Sequence, residues 1–218
     1  MAYSFHESLM AFILIFPLML LPSAVISYFC GCFNGAVIVS KYILRDDIRD
    51  HGSGNAGLTN FYRTFGGVLT LVVILCDVFK MILAVWISTR FFISGAPGQY
   101  WAGLFCLLGH MFPCMFKFKG GKGILSGGTL AILIDWRVAL VVWGGFLILT
   151  ALTRYVSLGS TWAGLSYPFI SWICFPGDIF IILLAFITGF LVVWKHRENI
   201  KRLIHGNENK FSIHHQKS

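Results

Sequence analysis

Charge is what this sequence lacks. Asp and Glu together number 9 in 218 residues, and all charged side chains make up 12%. Soluble domains carry roughly 25%, so a water-facing globule is excluded: a 57% hydrophobic content has too few charges to cover it. Low-complexity tracts and internal repeats are missing too, and disordered and collagen-like chains do not tolerate 21 Phe. No second close pair of cysteines joins Cys30 and Cys32 to complete a zinc site, and the remaining four are scattered. The six read as core or lipid-facing thiols, which removes the disulfide-scaffold class. No polar segment is long enough to fold alone, so residues 1–218 form a single domain. The first 20 residues have no positive stretch before the apolar run and no small-residue cleavage site. They read as a retained anchor rather than a removed signal.

What is present is a series of apolar runs, each near the roughly 20 residues needed to cross a bilayer core or somewhat shorter. They lie within Met10–Ser40, then at Gly67–Thr89, Gly98–Phe116, Ile124–Ile134, Val138–Thr153, Leu158–Phe175 and Ile179–Trp194. The expectation is an all-α integral membrane protein with seven transmembrane helices, the 11-residue fourth run being the weakest. An odd count puts the termini on opposite sides. Fourteen of the 17 Lys and Arg fall on one face, in Lys41–Gly66, Lys117–Gly123, Arg154–Ser157 and the tail from Lys195. By the positive-inside rule that face is cytoplasmic, the N-terminus is outside, and 204–218 is a cytoplasmic tail.

Chemistry concentrates in the loops of the basic face. The first reads His51-Gly-Ser-Gly-Asn-Ala-Gly-Leu-Thr-Asn60 and is followed by Arg63. Alternating glycines allow successive N–H groups to converge into an anion nest, and Arg63 adds a bidentate donor for phosphate or carboxylate. The other reading of the same composition is a flexible polar connector. The second loop, Phe116-Lys-Phe-Lys-Gly-Gly-Lys-Gly123, sets Lys122 among Gly120, Gly121 and Gly123 just before a helix. Backbone donors, a cation and a helix N-terminus thus coincide, as phosphate binding requires. The Walker A spacing is absent, so no nucleotide is implied. Lys117 and Lys119 suit lipid headgroups. In Arg154-Tyr-Val-Ser157, the serine either caps the next helix or joins the site.

Extending the last helix past Trp194 at about 100° per residue puts His196 and Asn199 on the apolar stripe with Ile200 and Leu203. Arg197, Glu198, Lys201 and Arg202 then face outward. Within the spans, Asp77 and Lys80 are three residues apart and read as a neutralising pair. His110 stands beside Pro113, where it either meets carbonyls freed by the proline or joins the site.

Together, Gly52-Ser-Gly-Asn-Ala-Gly-Leu-Thr-Asn60 with Arg63, Gly109-His-Met-Phe-Pro113 running into the Lys122 loop, Tyr155-Val-Ser-Leu158 and His196-Arg-Glu-Asn-Ile-Lys-Arg-Leu203 resemble the PlsY family. These are bacterial membrane acyl-phosphate:glycerol-3-phosphate acyltransferases. The resemblance covers roughly Tyr28 to Lys210 and leaves 1–20 as an N-terminal extension. It implies transfer of a fatty acyl group from acyl phosphate to the 1-hydroxyl of glycerol 3-phosphate, giving lysophosphatidic acid and phosphate, the first step of phospholipid synthesis. It further implies a multi-pass protein of the bacterial inner membrane with its site facing the cytoplasm, in contact with membrane lipids. No cofactor, metal, nucleic acid or acyl-CoA is expected. Carried over by position, the catalytic set is Ser53, Arg63, Lys122, His196 and Asn199, and Asn55, Thr59, Gly120, Gly121, Gly123 and Ser157 bind substrate. The family is described as letting a substrate phosphate take the proton, with His196 as the alternative base. No Ser-His-Asp arrangement is found, and the His-x4-Asp signature of acyl-CoA-dependent acyltransferases is missing.

Four positions depart from the family's usual residues: Ala56 for Pro, Leu58 for Ala, Cys32 for Ser and Gly159 for Ala. A membrane transporter of a phosphorylated solute would also use anion-binding loops and an intramembrane Asp77–Lys80 pair, yet the internal repeat usual in transporters is absent.

Overall fold

A computed structural model describes residues 5–211, with side chains from residue 17 onward. Most of the 1–20 extension is therefore described by backbone alone, and residues 1–4 and 212–218 lie outside the described residues. Ten helices follow in order: α1 (Phe5–Cys32), α2 (Gly35–Ile38, continued by a π-turn at Val39–Ile43), α3 (Leu58–Thr64), α4 (Leu69–Phe91), α5 (Gly95–Met111), α6 (Ile124–Ile134), α7 (Trp136–Thr153), α8 (Val156–Cys174), α9 (Ile179–Lys195) and α10 (Arg197–Ile204). No strand occurs among the described residues. By length and composition, α4 and α7 are each able to cross a bilayer alone, and up to four spans result if two bent helix pairs are each one span.

The outward faces are apolar: Phe79 is 64%, Leu152 79% and Phe190 67% exposed. Their counterpart is an interior with buried hydroxyls, such as Ser23 with Ser88 and Tyr100 with Ser171, both pairs at 2.7 Å. Apolar outside with paired polar groups inside is the arrangement that lipid, not water, selects.

Helix α5 sits at the centre, packed on α1, α4, α6 and α9, and α7–α8 and α8–α9 form adjoining antiparallel pairs. Small residues set how closely these helices approach. A Cβ added at Gly31 would lie 2.0 Å from the Cys106 carbonyl oxygen, and one at Gly109 the same distance from that of Tyr28. The α1 and α5 backbones are thus in contact, as small residues permit in membrane helices. Gly159 does the same for α8 against α7, where a Cβ would meet Phe146 O and Thr150 Oγ1 at 2.6 Å. The absence of a side chain at Gly159 lets the pair close up.

Several features differ from the sequence expectation, among them the start of α1 at Phe5, ahead of Met10. The third run ends as a helix at Met111, because Phe112 adopts a non-helical conformation ahead of Pro113 and a 3-10 turn follows at Cys114–Phe116. The first loop carries a helix of its own, α3. The last helix does not run on unbroken beyond Lys195. It breaks at His196, and α10 leaves at 56° to α9.

Gly31→Ala should cost on the order of 1–3 kcal/mol by overpacking, seen as a lower unfolding midpoint in detergent. Gly144→Ala, where a Cβ meets nothing within 4 Å, should be neutral or stabilise by up to about 1 kcal/mol through helix propensity. Equal midpoints for the two variants would contradict the close α1–α5 crossing.

Candidate active site

Four chain segments meet at one end of the helices around a cavity of about 670 Å³. Ser53, Asn55, Thr59 and Arg63 line it from the first loop and α3, Lys122 and Gly123 from the second, Ser157 from α8, and His196 and Asn199 from the α9–α10 break. Nine of the eleven site residues expected from the sequence are therefore brought together. The other two, Gly120 and Gly121, do not line the cavity.

The first loop is braced from within by Asn60. Its Nδ2 donates to Ile48 O at 3.3 Å, His51 O at 3.0 Å and Asn55 O at 3.1 Å, and its Oδ1 accepts from Ser53 N at 3.0 Å. Gly54 N bonds His51 O at 2.9 Å. Gly52 and Gly54 take positive φ values of 56° and 67°, but the N–H groups at 53 and 54 are already used. The expected backbone nest is not open at those positions, and the loop offers side chains. Ala56 is buried, and its carbonyl accepts from Asn34 Nδ2 at 3.1 Å. Leu58 borders the cavity yet also packs on the cluster around Ile48 and Phe61, so its bulk is partly drawn aside.

In the second loop, Gly120 N bonds Met111 O at 3.3 Å and Gly121 N bonds His110 O at 3.1 Å, so these donors are also spent. The two glycines serve close packing instead: a Cβ at either would come within 2.2 Å of His110 atoms. Gly123, at φ 81°, turns the chain into α6. The first-turn N–H groups of α6, which a helix cannot satisfy itself, are presented where Ile124 and Leu125 line the cavity. Lys122 Nζ donates to Asn199 Oδ1, a neutral partner. Burial, with help from Arg202, lowers the Lys122 pKa to about 8.

His196 is 3% exposed, and its Nδ1 lies 2.8 Å from Val192 O. That carbonyl can only accept, so the proton sits on Nδ1 and Nε2 carries the lone pair. Burial pushes its pKa down to about 4, leaving the ring neutral. Ser157 does not cap α8, whose N-cap is Tyr155. Its buried Oγ has no geometric hydrogen bond and lies beside the Glu208 carboxylate.

Two groups escaped the sequence reading. Arg202, expected outward, turns to the cavity because the break at His196 re-aims α10, and its Nε donates to Glu208 Oε2 at 2.7 Å. Glu208 also accepts from Asn199 Nδ2 at 2.8 Å. Burial raises the Glu208 pKa, but these hydrogen bonds outweigh that and hold it below its ordinary value. The tail is not a free extension: Arg63 Nη2 donates to Asn209 O at 3.3 Å, and Phe211 N to Arg154 O at 2.7 Å. The available signal was Gly206, a chain reversal at φ 71°, followed by one acidic residue in a basic tail.

The cavity is thus rich in cations and neutral donors, with apolar walls at Trp143, Phe146 and Val156. It fits a molecule with a phosphate at one end and a hydrocarbon at the other.

The comparisons with known proteins agree with that chemistry. Residues 21–206 match a family model described as glycerol-3-phosphate acyltransferase. Glycerol-3-phosphate acyltransferase of Finegoldia magna is 37% identical over 186 residues, covering 85% of this chain and 93% of the relative. That of Thermoanaerobacter pseudethanolicus is 36% identical over 188 residues, covering 86% and 93%. Crystal structures of PlsY, an integral membrane glycerol 3-phosphate acyltransferase, superpose with TM-scores of 0.80 for the glycerol 3-phosphate form and 0.77 for the lysophosphatidic acid form. Both are 30% identical and cover 88% of this chain, with 96% and 95% of the PlsY chains covered. With residues 21–206 matched to the family and relatives 36–37% identical over most of both chains, the chain belongs to the glycerol-3-phosphate acyltransferase family.

Proposed function

We propose that this chain transfers a fatty acyl group from acyl phosphate to the 1-hydroxyl of glycerol 3-phosphate, releasing lysophosphatidic acid and inorganic phosphate. The observation that carries this reading is one cavity joining phosphate-type donors to an apolar wall. Seven spans, an external N-terminus, a cytoplasmic site and residence in the bacterial inner membrane belong to the same proposal. The span count rests on the seven apolar runs of the sequence, and the sidedness on the clustering of 14 of 17 basic residues in the segments that build the cavity or adjoin it.

Acyl phosphate is a mixed anhydride and already activated, so the protein's task is to position the hydroxyl and stabilise the departing phosphate. Lys122, Arg63 and the α6 N-terminus face the charge that grows on the leaving group. Ser53, Asn55, Thr59, Ser157 and Asn199 supply neutral hydrogen bonds around it. His196 Nε2 is an acceptor and fits the attacking hydroxyl. With a pKa near 4 it is a weak base at neutral pH, whereas a phosphate monoester titrates near about 6. The proton therefore passes to substrate phosphate, and His196 orients the hydroxyl. The apolar wall of Trp143, Phe146 and Val156 holds the start of the acyl chain.

Purified protein in detergent, given acyl phosphate and glycerol 3-phosphate, should release phosphate and form lysophosphatidic acid. A folded protein that does neither sinks the proposal. Lys122→Ala and Arg63→Ala should each lower kcat/KM by roughly 10²–10³-fold while membrane insertion is kept, and near-normal turnover in either removes that residue from the site.

The pH profile offers a separate check. Lys122 is protonated below a pKa of about 8, so kcat/KM should fall as pH rises through that value, with the uncatalysed loss of acyl phosphate subtracted. Lys122→Arg should shift this alkaline limb beyond the measurable range. An acid limb set by substrate phosphate should survive in His196→Gln, whereas its disappearance would make His196 the base.

A further inference from the structure

His110 lies in the last turn of α5 and is 3% exposed. Its surroundings are hydrogen-bonded to a degree that fixes its chemistry. Lys80 has three N–H donors, and the structure gives each an acceptor: Phe33 O at 3.1 Å, Asp77 Oδ1 at 2.6 Å and His110 Nδ1 at 2.7 Å. Asp77 neutralises Lys80, and both side chains are 4% exposed. Asp77 Oδ1 also faces Nδ1 but at 3.6 Å, beyond hydrogen-bond reach, and the nearer ammonium group can only donate, so His110 Nδ1 accepts and the ring proton resides on Nε2.

That Nε2–H has no hydrogen-bond partner among the described residues, although the ring belongs to the wall of the cavity. An N–H on a cavity wall with no protein acceptor is left for whatever fills the cavity, solvent or ligand. Gly121 keeps the donor clear, since a Cβ there would stand 2.2 Å from Nε2. The carbonyls freed near Pro113 are not its partners either: Phe112 O accepts from Tyr28 Oη at 2.7 Å, and Met111 O from Lys195 Nζ at 3.2 Å.

We propose that His110 is a further substrate-contacting residue, a neutral imidazole whose Nε2–H donates to a phosphate oxygen. Lys80, backed by Asp77, is then a positioning residue that selects this tautomer. The proposal rests on the acyltransferase reading only for which phosphate is bound. The chemistry needed is a phosphate oxygen, supplied by glycerol 3-phosphate or by the acyl phosphate. His110 complements His196: one presents a proton to the cavity and the other a lone pair.

Lys80→Met strands a buried carboxylate and can abolish folding, so the decisive measurement uses the unsubstituted chain. Protein labelled with ¹⁵N-histidine in detergent is observed near neutral pH, and the His110 resonances are identified by their loss in His110→Gln. The expected state has the proton on Nε2 and none on Nδ1. Titration with glycerol 3-phosphate and, separately, with a non-hydrolysable acyl phosphonate should move the Nε2–H signal with at least one of them, which tells the two phosphates apart. A proton on Nδ1, or an Nε2–H indifferent to both ligands, overturns the proposal. Turnover is measured on the same sample, so a chain without acyltransferase activity that still shows the expected tautomer and phosphate response separates the failure of the functional reading from that of this one. In kinetics, His110→Leu should lower kcat/KM on the order of 10- to 100-fold, as for a lost hydrogen bond to a charged group. His110→Gln keeps an N–H near the same place and should recover most of that loss. Equal activity in the two variants would also count against a donor role.

Discussion

Positive charge partly withdrawn from water, and given almost no anion of its own, is the condition on which the rest of this structure depends. Lys122 faces the neutral amide of Asn199, and Arg63 faces backbone carbonyls of the tail. Such groups are costly to bury unless something negative arrives. The glycines, the internally braced first loop and the helix break at His196 all keep these cations together with a space between them. Glu208 is the one carboxylate brought in by the tail, and it is engaged by Arg202 and Asn199 rather than by Lys122.

The two buried histidines show how the same side chain is given opposite tasks by its neighbours. A backbone carbonyl beside Nδ1 makes His196 an acceptor toward the cavity. An ammonium group beside Nδ1 makes His110 a donor. Neither ring needs to carry a charge. Identity and direction are set by the atom on the far side of the ring, which is why the Asp77–Lys80 pair belongs to the architecture of the site as well as to that of α4.

The readable part of this molecule was the part written in local pattern. The runs that became α4 and α6 to α9 were bounded within a few residues, because apolar stretches and their Gly, Pro and polar punctuation are properties of short windows. Lys122, Arg63 and Ser157 were found because glycines and short polar residues surround them in sequence. Three features were not legible. The N–H groups at 53, 54, 120 and 121 looked free for an anion, but each has an acceptor: Asn60 Oδ1, and the carbonyls of His51, Met111 and His110, of which only the one at His51 belongs to a local turn. The break at His196 has no Gly or Pro to announce it, so an uninterrupted helix was the natural reading and Arg202 was turned the wrong way. The partners of His110 lie on another helix, 30 residues earlier in the case of Lys80, and no spacing rule connects them.

The contact between α1 and α5 has a further meaning for motion. Where Gly31 and Gly109 bring one backbone against another, no side chain is present to flex, slide or repack. That crossing behaves as a fixed pivot. Opening and closing around substrate cannot then be centred on that crossing. His110, one residue beyond Gly109, is carried directly beside that crossing.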